Sequence, residues 1–146
     1  MTRLLFIFLS LALFAGCRPR QVNPPVFTFD SAKERAIAAR LHQQDTGGLM
    51  FEIQPTGSML PLLQAGDWIV LDAREPFGKR LLGHVVTYRA AWWRPADAPP
   101  VTHRLVEFDA HGAIAEGDAT RGGESSYRIT DKNWLGEVAG IYRLKP

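Results

Sequence analysis

The pattern of apolar and polar positions divides the chain into four stretches of different character. Leu4 to Phe14 is an apolar run interrupted only by Ser10, and Arg18 to Pro25 is polar and proline-rich. A helix is expected next: Asp30 or Ser31 can cap it, and Ser31-Ala32-Lys33-Glu34 has capping-box spacing. It runs to about Gln44 and stops before Gly47-Gly48, with Ala36, Ile37, Arg40 and Leu41 along one side. So thin an apolar stripe predicts a helix packed loosely on the domain or lying near a membrane surface. From Leu49 onward short apolar runs bounded by turn residues predict strands at 49–54, 68–72, 84–90, 101–108, 113–116 and 137–144. Asp109-Ala110-His111-Gly112 reads as a hairpin turn. Between strands, Trp92-Trp93 stands in a proline-rich loop, where the indoles either pack the loop or anchor it at a lipid–water boundary.

Arg3 followed by the apolar run has the layout of a signal-peptide segment. The run falls short of the roughly 20 apolar residues that a bilayer crossing takes. The division expected is therefore 1–17 as a signal or anchor, 18–29 as a tether and 30–146 as one β-rich domain. At 146 residues and 46% hydrophobic, the chain can bury a real core. A formal charge of +2 with no basic cluster gives nucleic-acid binding no support. Cys17 is the only cysteine, which excludes an internal disulfide. The four histidines show no metal-ligand spacing, so neither a metal nor an organic cofactor is implied.

Candidate chemistry centres on Pro55-Thr56-Gly57-Ser58-Met59-Leu60-Pro61, which continues to Gly66-Asp67. It sets one serine on a glycine-flanked turn between two strands, with hydroxyl and backbone N–H free for acyl-transfer chemistry. The segment resembles the Ser-Met-x-Pro signature of type I signal peptidases. Further motifs follow in that family's order: Gly83 to Tyr88 as Gly-x-Val-Val-x-Tyr, Thr102-His103-Arg104, Gly117-Asp118, and Gly136 to Gly140. The Thr-His-Arg segment is similar to the histidine-containing branch found in the endoplasmic reticulum and archaea, where histidine replaces a lysine base. Lys79, Lys132 and Lys145 are poorly placed for that task, and His42, His84 and His111 are less attractive than His103. Leu13-Phe14-Ala15-Gly16-Cys17 resembles a bacterial lipoprotein box, which makes Cys17 a lipidation candidate beside plain signal-anchor and cleaved-signal alternatives.

The resemblance implies a mainly β, signal-peptidase/LexA-like core of coiled antiparallel sheets with one short N-terminal helix. It implies Ser58 as nucleophile, His103 as base, and an oxyanion held by the Ser58 N–H and the Thr56 hydroxyl. Asp118 either orients the imidazole or braces its loop through backbone bonds, and Glu124 is a second candidate for the orienting role. Asp67 is expected to serve its turn rather than the chemistry. The function implied is a membrane-tethered serine endopeptidase on the extracytoplasmic side of a bacterial envelope, cleaving membrane-held pre-proteins after small residues. Two alternatives stand beside it: an inactive peptide-binding module of the same fold, and a maturation protease dedicated to one partner. Departures from the family pattern at Ala119 and His84 favour the former, and the small size favours the latter.

Overall fold

A computed structural model describes residues 18–90, 98–120 and 127–146. Cys17 and the apolar run before it, Trp92-Trp93 and Glu124 lie outside the described residues. The fold is mainly β with one helix, as the strand pattern predicts. In chain order the elements are β1 (Val26–Phe29), α1 (Ala32–Thr46), β2 (Met50–Glu52), β3 (Trp68–Asp72), β4 (Val85–Tyr88), β5 (Val101–Asp109), β6 (Gly112–Glu116) and β7 (Trp134–Leu144). One sheet runs β2-β3-β7-β4-β5-β6, and β1 joins β7 off this path. The eleven-residue β7 is the spine: β3 pairs it antiparallel along one side, while β4 and β1 pair with its first and last thirds. Bulges at Val70/Leu71, Thr87/Tyr88 and Leu105/Glu107 interrupt three of the ladders, the kind of irregularity that bends a sheet.

The central strands β3 and β4 are covered on both faces, so their successive residues enter different cores. Val85 packs with Met59, Leu63, Ile69, Leu71, Val138 and Ile141. Its neighbour Val86 packs with Leu81, Tyr88, Leu105, Ala113, Ala115 and Ile129. That double cover is why β4 is buried at all four positions, the polar Thr87 included, rather than at alternate ones.

The helix begins where its cap predicts, with Ser31 Oγ accepting from the Glu34 N–H at 3.2 Å. It ends at Gly47 in the left-handed conformation (φ 64°), which glycine adopts without a Cβ penalty. Its packing face differs from the expected stripe. Ala39 is buried with Val70 and Tyr142, while Ile37 and Leu41 are 52% and 61% exposed. The contact is made instead by a small residue and the bodies of polar ones. Arg35 lies 4.4 Å over the Trp68 ring and donates to the Gly66 carbonyl at 2.8 Å. His42 Nδ1 hydrogen-bonds the Tyr142 hydroxyl. Long amphipathic side chains can supply apolar contact that a hydropathy pattern does not register.

Residues 18–29 are not a free tether. Val26 to Phe29 pair in parallel with Ile141 to Leu144, and the Ile141 N–H donates to the Pro25 carbonyl at 2.9 Å. The proline-rich composition that suggests a linker holds extended backbone, which also suits an edge strand. Among the described residues no helix is long and apolar enough to cross a membrane.

The segment between β2 and β3 carries the Ser-Met-x-Pro motif and is closed at its base by two bonds. The Ile53 N–H donates to Asp67 O at 2.8 Å, and the Gly66 N–H to Ile53 O at 2.9 Å. Asp67, 3% exposed, accepts from the Gln64 N–H at 2.8 Å and from Arg143 Nε and a terminal nitrogen at 2.9 and 2.6 Å. The same guanidinium donates to the Leu62 carbonyl at 2.8 Å, tying the loop to β7. Asp67 holds the guanidinium proton of Arg143 more tightly than usual, raising its pKa. Removing one member of a buried pair strands the other, so Asp67→Ala is expected to cost roughly 3 kcal/mol of stability. Urea denaturation checks it; a loss below about 1 kcal/mol, the range of exposed pairs, would show that Arg143 is resolvated at no great cost.

Candidate active site

Ser58 and His103 meet although 45 residues separate them, with Ser58 Oγ 3.1 Å from His103 Nε2. The serine reaches this point because its loop is held on three sides. On the C-terminal side Met59 and Leu63 are buried in the first core, and the Leu63 N–H donates to Met59 O at 3.0 Å. The Leu60–Pro61 bond in this turn is cis. On the N-terminal side stands the hairpin base described above. The third hold is the Gly117-Asp118-Ala119 loop that follows β6. The Ala119 N–H donates to Ser58 O at 2.9 Å. Gly117 sits so close that a Cβ there would lie 2.5 Å from Ser58 O and 2.4 Å from Thr120 Oγ1.

His103 comes from β5, whose pairing with β4 sets it opposite Val86. Two residues on from Val86, Tyr88 lies on the same face, diagonal to His103. Its hydroxyl is 3.3 Å from His103 Nδ1. With the ring hydrogen on Nδ1 donating to the phenol oxygen, Nε2 presents its lone pair to the serine, the tautomer a general base requires. Tyr88 closes the Gly-x-Val-Val-x-Tyr motif, where the sequence assigns it no role. The signal that finds it is the β4–β5 register.

Asp118 is placed differently from the orienting role considered for it. Both its oxygens bond Arg104, at 2.7 Å to Nε and 2.7 Å to a terminal nitrogen, and none of its hydrogen bonds goes to His103. The reason lies in strand geometry: His103 and Arg104 are consecutive on β5 and point to opposite faces. Asp118 braces its loop, through a side-chain ion pair rather than the backbone bonds expected. Arg104 also donates to the Gly83 carbonyl at 2.7 Å, the Val22 carbonyl at 3.1 Å and Asn23 Oδ1 at 2.9 Å.

Thr56 lies two residues before the serine, with its hydroxyl 3.4 Å from Ser58 Oγ. The Ser58 N–H donates to nothing among the described residues. The remaining histidines are engaged elsewhere. His42 bonds Tyr142, and His84 bonds Glu137, which Arg80 also contacts at 3.4 Å. His111 is exposed in the β5–β6 turn, where its backbone N–H donates to Asp109 Oδ1. Among the described residues no lysine lines the cleft. Lys79 falls in an exposed 3-10 turn, Lys132 is exposed, and Lys145 pairs with Asp30. Among the described residues no group of three or more His, Cys, Asp or Glu side chains converges to hold a metal ion.

Ser58, Thr56 and His103 open onto a cleft of about 860 Å³. Phe51, Ile53, Met59, Leu63 and Val101 give it a largely apolar lining. One wall is the end strand β2, whose outer edge has no partner in the sheet among the described residues. Such an arrangement can hold an extended peptide against the strand edge while a serine hydroxyl and an imidazole face one of its carbonyls.

In comparisons with known proteins, the chain matches no family model, no curated protein and no solved structure.

Gly117→Ala tests the contact behind the serine. The added methyl group is expected to displace Ser58 from His103 and to cost roughly 1–3 kcal/mol, the usual penalty of overpacking. Thermal melting reads the stability, and the His103 side-chain NMR resonances read the displacement. Unchanged resonances would mean that the 117–119 loop yields instead of the serine.

Proposed function

We propose that the protein is a membrane-tethered serine endopeptidase of signal-peptidase type, acting on extended segments of exported pre-proteins. The observation that carries this reading is the 3.1 Å approach of His103 Nε2 to Ser58 Oγ at the mouth of an apolar cleft with a free strand edge. Serine needs a base to become nucleophilic at neutral pH. A serine that merely completes a turn has no use for an imidazole brought from a distant strand. The sequence motifs in signal-peptidase order supply the substrate class, and the apolar run before Cys17 supplies the tether.

In this mechanism Ser58 Oγ attacks the scissile carbonyl while His103 Nε2 takes its proton. The tetrahedral oxyanion accepts hydrogen bonds from the Ser58 N–H and the Thr56 hydroxyl, donors aimed at charge that develops only in the transition state. Collapse breaks the C–N bond, and the imidazolium returns the proton to the leaving amine. Water then repeats the sequence on the acyl-enzyme, with His103 again as base, and releases the acid product. Asp118 takes no part in proton transfer; with Arg104 it holds the loop behind the nucleophile.

The full chain in detergent is expected to cut a pre-protein at an Ala-x-Ala site. Ser58→Ala and His103→Ala should each lower kcat/KM by at least about a thousandfold, as removal of either member of such a pair does. Cleavage that survives His103→Ala would remove it as the base. No cleavage of any pre-protein by the unmutated chain would overturn the reading. Only neutral imidazole accepts a proton, so kcat/KM should fall as pH drops through the histidine range. A pH–rate profile flat on its acid side would exclude His103 as well.

A further inference from the structure

Residues 18–25 have no secondary structure of their own, yet they are held along their length. Arg18 pairs with Glu116 at 3.3 Å. The Arg20 carbonyl passes so close over Gly83 that a Cβ there would lie 2.0 Å from it. The Val22 N–H donates to Gly83 O at 3.0 Å. Val22 O and Asn23 Oδ1 then accept from Arg104. Gly83 serves two ends at once: its positive φ of 84° suits glycine, and its missing side chain makes room for the strap.

A guanidinium has five N–H donors. In Arg104 three go to the domain, two to Asp118 and one to Gly83 O. The strap receives the rest. Arg104 is thereby 4% exposed at its side chain, a position in which an unmet donor is expensive. From it a short path leads to the nucleophile: Arg104 bonds Asp118, and the next residue, Ala119, bonds Ser58 O at 2.9 Å. On the other side Arg104 is the chain neighbour of His103.

We infer that the strap is a positioning element of the active site: Val22 and Asn23 complete the shell that fixes Arg104, and through Arg104 and Asp118 they fix the approach of Ser58 to His103. Without these two acceptors the guanidinium pivots about Asp118, and the 117–119 loop loses its fixed end. The inference rests on the Ser58–His103 pair being the reactive one, and its test has a readout that needs no substrate.

In the full chain carrying Ser58→Cys, alkylation at about pH 6.5 reports how well the imidazole stabilises the thiolate. Peptide mass mapping separates the introduced thiol from that of Cys17. Adding His103→Ala should slow alkylation of the introduced thiol, which shows that the reporter senses the pair. Asn23→Ala should slow it about tenfold, the scale of one lost hydrogen bond to a charged group, whereas Asn23→Asp, which keeps the acceptor, should restore it. Gly83→Ala, which expels the Arg20 carbonyl, should act at least as strongly; if it does not fold, the Asn23 pair decides alone. Lys145→Ala, at an exposed ion pair away from the cleft, should change nothing. In the enzyme that keeps Ser58, the same Asn23→Ala should lower kcat and leave KM unaltered. Alkylation and kcat that both ignore Asn23→Ala would overturn the inference. Thiol reactivity that follows Asn23 in a protein that cleaves no pre-protein would leave the strap standing and remove the peptidase.

Discussion

The buried Arg104 guanidinium is the constraint to which most of the site traces back. It joins four segments that are far apart in sequence: the strap at Val22 and Asn23, the turn at Gly83, strand β5, and the loop at Asp118. Burying this charge carries a desolvation cost that attraction to one carboxylate offsets only when the geometry is good and the other donors are met. Here every donor is met, and two of the acceptors are backbone carbonyls, which have little freedom to move away. A buried ion pair of this kind is weak evidence for stability in itself. Its consequence is register: with Arg104 fixed, β5 cannot slide, and His103 is delivered to the cleft face by the alternation of the strand.

A second arginine does for the serine loop what Arg104 does for the histidine strand. Arg143 on β7 grips Asp67 and the Leu62 carbonyl, which bracket the C-terminal half of the segment between β2 and β3. The two clamps sit on different strands of one sheet, and β4 lies between β5 and β7. The Ser58–His103 distance is therefore set by sheet geometry and not by local turn preference. The cleft-facing serine needs no buried charge of its own. Its neighbours are apolar below and backbone behind, where Gly117 and the Ala119 N–H leave it little room to retreat.

Much of this is legible in the sequence because it follows from local rules. The strand runs, the helix cap at Ser31 and the stop at Gly47 depend on period, capping and backbone sterics. Ser58, Thr56 and His103 stand in recognisable segments, and the structure brings all three to one cleft. What escapes depends on partners distant in sequence. The parallel pairing of β1 with β7 has no local signal, since parallel strands are joined by no hairpin. The buried face of α1 is hidden in the hydropathy pattern because Arg35 and His42 contribute contact that their polarity conceals. The partner of Asp118 is unreadable for a similar reason: motif order puts it after the histidine, but only the facing of β5 decides that Arg104, not His103, meets it. Tyr88 comes within reach once the β4–β5 register is known, and not before.

The choice of base in the proposed peptidase bears on how enclosed its site must be. A lysine acts as a base only when desolvation removes its proton, which demands a dry, closed pocket. An imidazole titrates close to neutral pH without that help. His103 is only half-buried and the cleft beside it is open enough to admit a chain, a combination that would leave a lysine charged and idle. What the histidine needs instead is orientation, because only one of its two nitrogens faces the serine. The site supplies that through Tyr88 at Nδ1 and through the fixed register of β5. The physical demand is thus moved from burial to alignment, and alignment is what a web of arginine-centred hydrogen bonds provides.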